Sequence, residues 1–220
     1  MNIIKQLKSK TMQKQKTIYH LIVDKSGSMC DCIETTITGF NEQVTKIQEL
    51  EKEFSEQEIT IGLTTFNHDV NHHFFQSPAQ QVRKLNTDTY RPDGSTALLD
   101  AIGMTADTIE REIKQSTNPQ NSTVVIVILT DGHENSSKSF KLEDIRKQIS
   151  RLEETGRWTF TFMGATLDAV EVAESMAIKK ENSMMFEKSN MRTGVFSKLS
   201  SSMESYMHKK RKGDNLDNFF

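Results

Sequence analysis

The sequence predicts an α/β protein: a doubly wound, mostly parallel sheet with one antiparallel edge strand and helices on both faces. Three observations lead there. Apolar runs of strand length alternate with amphipathic stretches of helical spacing along most of the chain. One run, Thr123 to Leu129 (TVVIVIL), is almost unbroken in its apolar, β-branched character, as befits a central parallel strand covered on both faces. Two predicted strands lead directly into an aspartate, Asp24 and Asp131. Both carboxylates then lie on the carboxyl rim, where open α/β sheets place their binding crevice.

The elements follow in order. Residues 17–23 are apolar on both faces and read as the first strand. Ile33, Ile37, Phe40, Val44, Ile47 and Leu50 fall on one side of a helix about 20 residues long. Residues 58–66 alternate with period two, and 69–75 form the partner strand. Asn67 and His68 between them predict a tight turn, which makes this pair antiparallel at a sheet edge. Residues 78–95 are polar and irregular. Leu98, Ile102, Ile109 and Ile113, with Thr105 and Ala106, make the next helical stripe.

After the strand at 123–129, Leu142, Ile145, Ile149 and Leu152 predict a helix that Gly156 stops. Residues 158–163 form another strand, 167–177 a helix and 183–187 a last strand. Met191, Val195, Leu199, Met203 and Met207 predict a final helix over 191–208, and the last dozen residues read as disordered. The organisation is a basic N-terminal extension (1–16), an α/β domain (17–188), and a C-terminal helix with a basic disordered tail (189–220).

Composition narrows the function. With 220 residues, 35% of them hydrophobic, the chain has enough apolar surface for one good-sized core. A net charge of −2 creates no global attraction to nucleic acid or anionic lipid. The ends differ: residues 1–16 hold five lysines and no acidic residue, and Lys209-Lys210-Arg211-Lys212 form a second basic cluster. These termini are the one route to nucleic acid, and the plainer reading is solvated ends. No 18-residue apolar run and no secretory pattern occur, so neither a membrane partner nor export is expected, and the reading is cytoplasmic. Cys30 and Cys32 lie two apart at a helix start, pointing away from each other, and read as ordinary thiols rather than a disulfide.

Asp24, Ser26 and Ser28 alternate along the loop that leaves the first strand. Thr96 stands just ahead of a helix, and Asp131 just after the central strand. Together they supply two carboxylates and three hydroxyls, a hard-oxygen set that suits Mg²⁺ and leaves room for water or one further ligand. Gly27, Gly94 and Gly132 permit tight backbone around an ion. The plainer alternative is that Ser26, Ser28 and Thr96 are helix caps and the aspartates favourable charges near helix starts. Caps alone would not explain an aspartate at two strand ends. His72 and His73 are neighbours on one strand and face opposite ways, so they do not form a metal pair. His133 follows the Thr130-Asp131-Gly132 turn and either lines the rim or faces solvent.

These three separated segments resemble the von Willebrand factor A domain family. D-x-S-x-S occurs as Asp24-Lys25-Ser26-Gly27-Ser28, the loop threonine as Thr96 within Gly94-Ser95-Thr96-Ala97-Leu98, and the T-D-G aspartate as Asp131. The resemblance covers about residues 17–188 and is similar in form to intracellular bacterial and phage members. It implies a Rossmann-like fold and a metal-ion-dependent adhesion site. In that site Ser26, Ser28 and Thr96 would be direct ligands, and Asp24 and Asp131 would bind directly or through water. It implies Mg²⁺, with Mn²⁺ or Ca²⁺ as alternatives, and a protein partner whose Glu or Asp completes the coordination. Lys25 and Cys30-Asp31-Cys32 put unusual side chains beside such an ion, and Asp31 or Glu34 would add negative charge that tunes the choice of metal. The resulting expectation is a metal-dependent protein-binding module and not an enzyme. The alternatives are a Mg²⁺-dependent hydrolase or phosphotransferase, and a nucleic-acid-associated accessory protein acting through its basic ends.

Overall fold

A computed structural model describes residues 14–216 and 218–220. Its sheet has six strands: β1 (Gln15–Asp24), β2 (Gln57–Phe66), β3 (Val70–Ser77), β4 (Ser122–Thr130), β5 (Trp158–Gly164) and β6 (Ser183–Met185). Their order is β3-β2-β1-β4-β5-β6. Every pairing is parallel except β2 with the edge strand β3. The expected architecture is therefore the observed one, including its single antiparallel edge.

β1 and β4 are the central pair, with Leu21 opposite Val127 and Val23 opposite Leu129. From β1 the chain steps one way to β2, and the later strands build on the other side of β4. The switch in strand order thus lies between the carboxyl ends of β1 and β4, where a crevice must open. Alternate residues of these strands feed two cores. Tyr19, Leu21, Val23, Val125 and Val127 face helices α1 (Ile33–Glu53) and α5 (Ser197–Lys212). Ile18, Ile22, Val124, Ile126 and Ile128 face α2 (Leu98–Gln115), α3 (Leu142–Glu153) and α4 (Ala169–Ser175).

The apolar stripes behave as their spacing requires. Phe40, Val44, Ile47 and Leu50 of α1 are buried, as are Leu98, Ile102, Ile109 and Ile113 of α2. α1 is entered through a 3₁₀ turn, Gly27–Cys32, that carries the chain directly out of the first loop. Cys30 is exposed and Cys32 buried, both as free thiols. The last helix begins as a wide π-helical turn, Met191–Phe196, before regularising at Ser197. Among the described residues no helix is long and apolar enough to cross a membrane.

The chain end departs from the sequence expectation of disorder. α5 continues through the basic cluster to Lys212 and stops at Gly213, whose φ of +74° is the left-handed cap that glycine accepts readily. Beyond it Phe219 is buried beside Tyr206, and its amide donates to Asn182 Oδ1 at 2.8 Å. Two aromatic rings after a polar stretch are too short a pattern to show periodicity, yet each offers enough apolar area to hold the segment down. The expected extension 1–16 lies mostly outside the described residues.

Candidate metal centre

Asp24 is the last residue of β1 and is completely buried. Its Oδ1 accepts from the Ser26 amide at 2.6 Å, and its Oδ2 accepts from Thr130 Oγ1 at 2.6 Å. Burial pushes this carboxyl up to about 6, opposed by the hydrogen bonds from Thr130 and Ser26 and reinforced by the nearby Asp131. The Asp24 carbonyl accepts from the buried Tyr90 hydroxyl at 2.6 Å. The end of β1 is therefore held from both sides by side chains of distant segments.

The loop that follows turns back on two others. Lys25 N donates to Phe66 O at the end of β2, and Gly27 N donates to Gly94 O. Asp93 N donates to Lys25 O, and Asn67 Nδ2 reaches Asp93 O at 3.0 Å. These bonds bring the Gly94–Thr96 loop against the Ser26–Ser28 loop. Thr96 is fixed in turn by Asn135, whose Oδ1 accepts from Thr96 N at 2.8 Å while its own amide donates to Thr96 O.

The hydroxyls converge. Ser26 Oγ and Ser28 Oγ are 3.2 Å apart, and Ser28 Oγ donates to Asp131 Oδ1 at 2.6 Å. A methyl group added at Gly132 would lie 3.3 Å from Thr96 Oγ1 and 3.6 Å from Ser28 Oγ. Glycine at 132 thus keeps open a small cradle on which Thr96 and Ser28 both border. All five residues picked out from sequence are brought to one rim, on three loops. The caps alternative fails in detail, because none of Ser26, Ser28 or Thr96 caps a helix with its side chain.

One oxygen of this set is unusual. Asp131 Oδ2 is buried and has no well-directed hydrogen-bond donor. Lys188, in the turn after β6, places its Nζ 2.5 Å from that oxygen as an ion pair and donates to Ser28 O at 2.7 Å. Burial opposes the charge on Lys188, but the Asp131 carboxylate outweighs it and holds the ammonium above its ordinary value. Nothing near Lys188 in sequence announces this contact, which spans 160 residues to Ser28. Thr130, Tyr90, Asn67 and Asn135 also escaped the sequence reading. Thr130 and Asn67 had local signals, as the residue preceding Asp131 in the T-D-G turn and as part of the turn after the second strand, but neither marked a contact with the site.

The remaining candidates fall away from the centre. His72 Nδ1 pairs with Thr64 Oγ1 and His73 Nε2 with Thr65 Oγ1, consistent with opposite faces of β3. His133 is mostly exposed and sits 3.8 Å from Asp168. Asp31 and Glu34 are exposed, and Asp31 stands near enough to Lys188 for its charge to favour the ammonium. Glu53, Glu204 and His208 form a second oxygen–nitrogen cluster, but Lys46 already pairs with Glu204 at 2.6 Å.

The donor set fits a hard divalent cation. Two carboxylates and three hydroxyls lie together on one rim, and Thr96 and Ser28 border the cradle at Gly132. Asp24 fits poorly as a nucleophile, since both its oxygens are engaged and none of it is exposed.

Comparison with curated proteins finds no match. Solved structures do match in fold. A proximal thread matrix protein from the mussel byssus, described with a zinc-occupied MIDAS motif, aligns with a TM-score of 0.58 at 14% identity over 82% of this chain and 46% of that one. The chain thus spans about half the length of that neighbour. The von Willebrand factor domain of the pilus tip protein Mfa5 from Porphyromonas gingivalis aligns with a TM-score of 0.59 at 10% identity, covering 88% of this chain and 96% of that one. A VWA paralogue of ArnB from Sulfolobus acidocaldarius gives 0.54 at 16% identity over 84% of this chain and 45% of that one. The model of the von Willebrand factor type A domain matches residues 20–201, most of the chain, and the chain belongs to that family.

Proposed function

We propose that this chain is a divalent-metal-dependent protein-binding module with no chemistry of its own. Ser26, Ser28 and Thr96 hold Mg²⁺, or Mn²⁺ or Ca²⁺ in its place, directly, Asp24 and Asp131 hold it directly or through water, and a Glu or Asp of a protein partner completes the coordination. The observation that supports this most is the convergence of three hydroxyls and two buried carboxylates on one rim, with Thr96 and Ser28 bordering the cradle at Gly132. The ion supplies a fixed positive charge for an incoming carboxylate, and such charge-assisted contacts are strong where water is partly excluded. The engaged, buried state of Asp24 favours this reading over a phosphatase-like one.

Thermal unfolding tests it. A ligand of the native state alone stabilises by about 2.7 kcal/mol at a hundred times its Kd. Millimolar Mg²⁺ or Mn²⁺ is expected to raise Tm, and Thr96→Ala is expected to remove that gain while leaving the metal-free Tm close to wild type. A wild-type Tm indifferent to both metals would overturn the proposal.

A further inference from the structure

Lys188 brings a positive charge into a site whose other groups select positive ions. Its Nζ lies 2.5 Å from Asp131 Oδ2 and 2.7 Å from Ser28 O, so it touches two of the three loops that build the centre. The Asp131 side chain has no exposure, whereas that of Lys188 is one-third exposed, so the ammonium lies between the carboxylate and solvent. It belongs to the Lys188–Asn190 turn between β6 and the start of the last helix, not to any of the ligand loops.

The charges can be counted. Among the five site residues and Lys188, Asp24 and Asp131 together balance one divalent ion, and Lys188 then leaves one positive charge in excess, with the exposed Asp31 acting on it only through space. An incoming carboxylate carries one negative charge and restores neutrality. Placed beside a metal ligand, the ammonium repels the metal and attracts the anion, and its effects on the two affinities have opposite signs.

We propose that Lys188 is a specificity-determining second cation of this site, which lowers its affinity for the metal and raises the affinity of the metal-loaded site for a carboxylate. The inference rests on the metal-binding reading given above. It also assigns the partner's chemistry more narrowly: a single exposed carboxylate meets both the ion and Lys188, whereas a neutral oxygen donor would benefit from the ion alone. Lys188 acts through Asp131 on the metal and directly on the anion.

Two titrations on the full chain test it, at constant ionic strength. Free Mn²⁺ is followed by electron paramagnetic resonance, and acetate is followed by its displacement of water from bound Mn²⁺ in proton relaxation. Removing one charge at this range is expected to let Lys188→Gln bind Mn²⁺ about three- to tenfold tighter and acetate weaker by a similar factor. Lys188→Arg keeps the charge and is expected to keep both wild-type values.

A merely structural tether would move the two affinities together, with a lower Tm, and that result overturns the proposal. Unchanged Mn²⁺ binding in Lys188→Gln overturns it while leaving the metal site intact. Acetate without effect on the wild-type signal overturns the anion half. Wild-type protein that fails to bind Mn²⁺ overturns the metal site itself, and the role of Lys188 falls with it.

Discussion

At the scale of single residues, the five site residues were legible because each stands at a position the sequence marks. Asp24 and Asp131 follow apolar runs, and Thr96 precedes a helical stripe. What holds those residues was not legible, since Tyr90, Asn67, Asn135 and Lys188 reach the site from separate segments with no periodic pattern. Gly94 shows how tightly they are held. Its φ is +72°, its carbonyl accepts from Gly27 N, and a Cβ there would meet the His68 ring at 2.2 Å. Gly94→Ala is expected to lower stability by about 1–3 kcal/mol, from left-handed backbone and overpacking together. It is also expected to reduce the Mn²⁺-induced rise in Tm, because Thr96 lies two residues on. Adding His68→Ala removes the clash and not the backbone strain, so only part of the loss should return. Denaturant melts of the single and double variants with and without Mn²⁺ decide it, and a full recovery would show that the backbone conformation is not strained.

At the scale of elements, α5 was half legible. Its apolar stripe of Leu199, Met203 and Met207 is buried as the spacing requires. Its basic end was read as solvated because four consecutive cations look like an exposed cluster, yet Lys210 is only 8% exposed. Lys210 Nζ meets three neutral oxygens at the amino ends of β1 and β4: Thr17 Oγ1 at 2.7 Å, Thr123 Oγ1 at 2.9 Å and Lys16 O at 2.9 Å. A neutral amine satisfies this set with two N–H donors and one lone pair facing a hydroxyl. Burial pulls Lys210 down to about 7 from an ordinary 10.5. Between those values the unfolded chain keeps the proton that the folded chain has released. The stability from this group is therefore complete above the ordinary value and is lost as pH falls toward 7. Urea unfolding of the wild type is expected to show a free energy that climbs from pH 7 to 9, at no more than about 1.4 kcal/mol per pH unit from this residue. Tyr206, which burial pushes up to about 12, stays outside that window. Lys210→Met should flatten the climb and lower stability by about 1–3 kcal/mol, since it removes the shortest hydrogen bonds of these buried oxygens and leaves them only the longer Thr17–Thr123 and Thr123–Lys16 contacts. Equal slopes in the two proteins would mean that the ammonium is retained at the amino rim of β1 and β4.

At the scale of the whole molecule, the alternation of periods was enough for the layers, the strand type and the rim that carries the site, because those follow from burial alone. The course of the chain after β6 was not. It leaves the carboxyl rim at Lys188, passes along the face shared with α1, and reaches the amino rim at Lys210. On the way Gln43 of α1 donates to Phe196 O and Ser200 Oγ, both at 2.9 Å, which locks the two helices together. The chain then turns at Gly213 and comes back to bury Phe219 against Tyr206 and the residue before β6. This last return closes the α1–α5 core, and it contributes none of the five site residues. Truncating a buried phenyl ring in such a place removes its transfer free energy and leaves a cavity, so Phe219→Ala is expected to lower stability by about 3 kcal/mol. The Mn²⁺-induced gain in Tm should survive unchanged, because that gain depends on differential binding at a site to which Phe219 contributes no ligand. Denaturant unfolding with and without Mn²⁺ separates the two effects. Wild-type stability in Phe219→Ala would show that the chain end does not close the core. A loss of the metal-dependent gain would instead show that the C-terminal segment, running back through α5 to Lys188, couples the core to the metal rim.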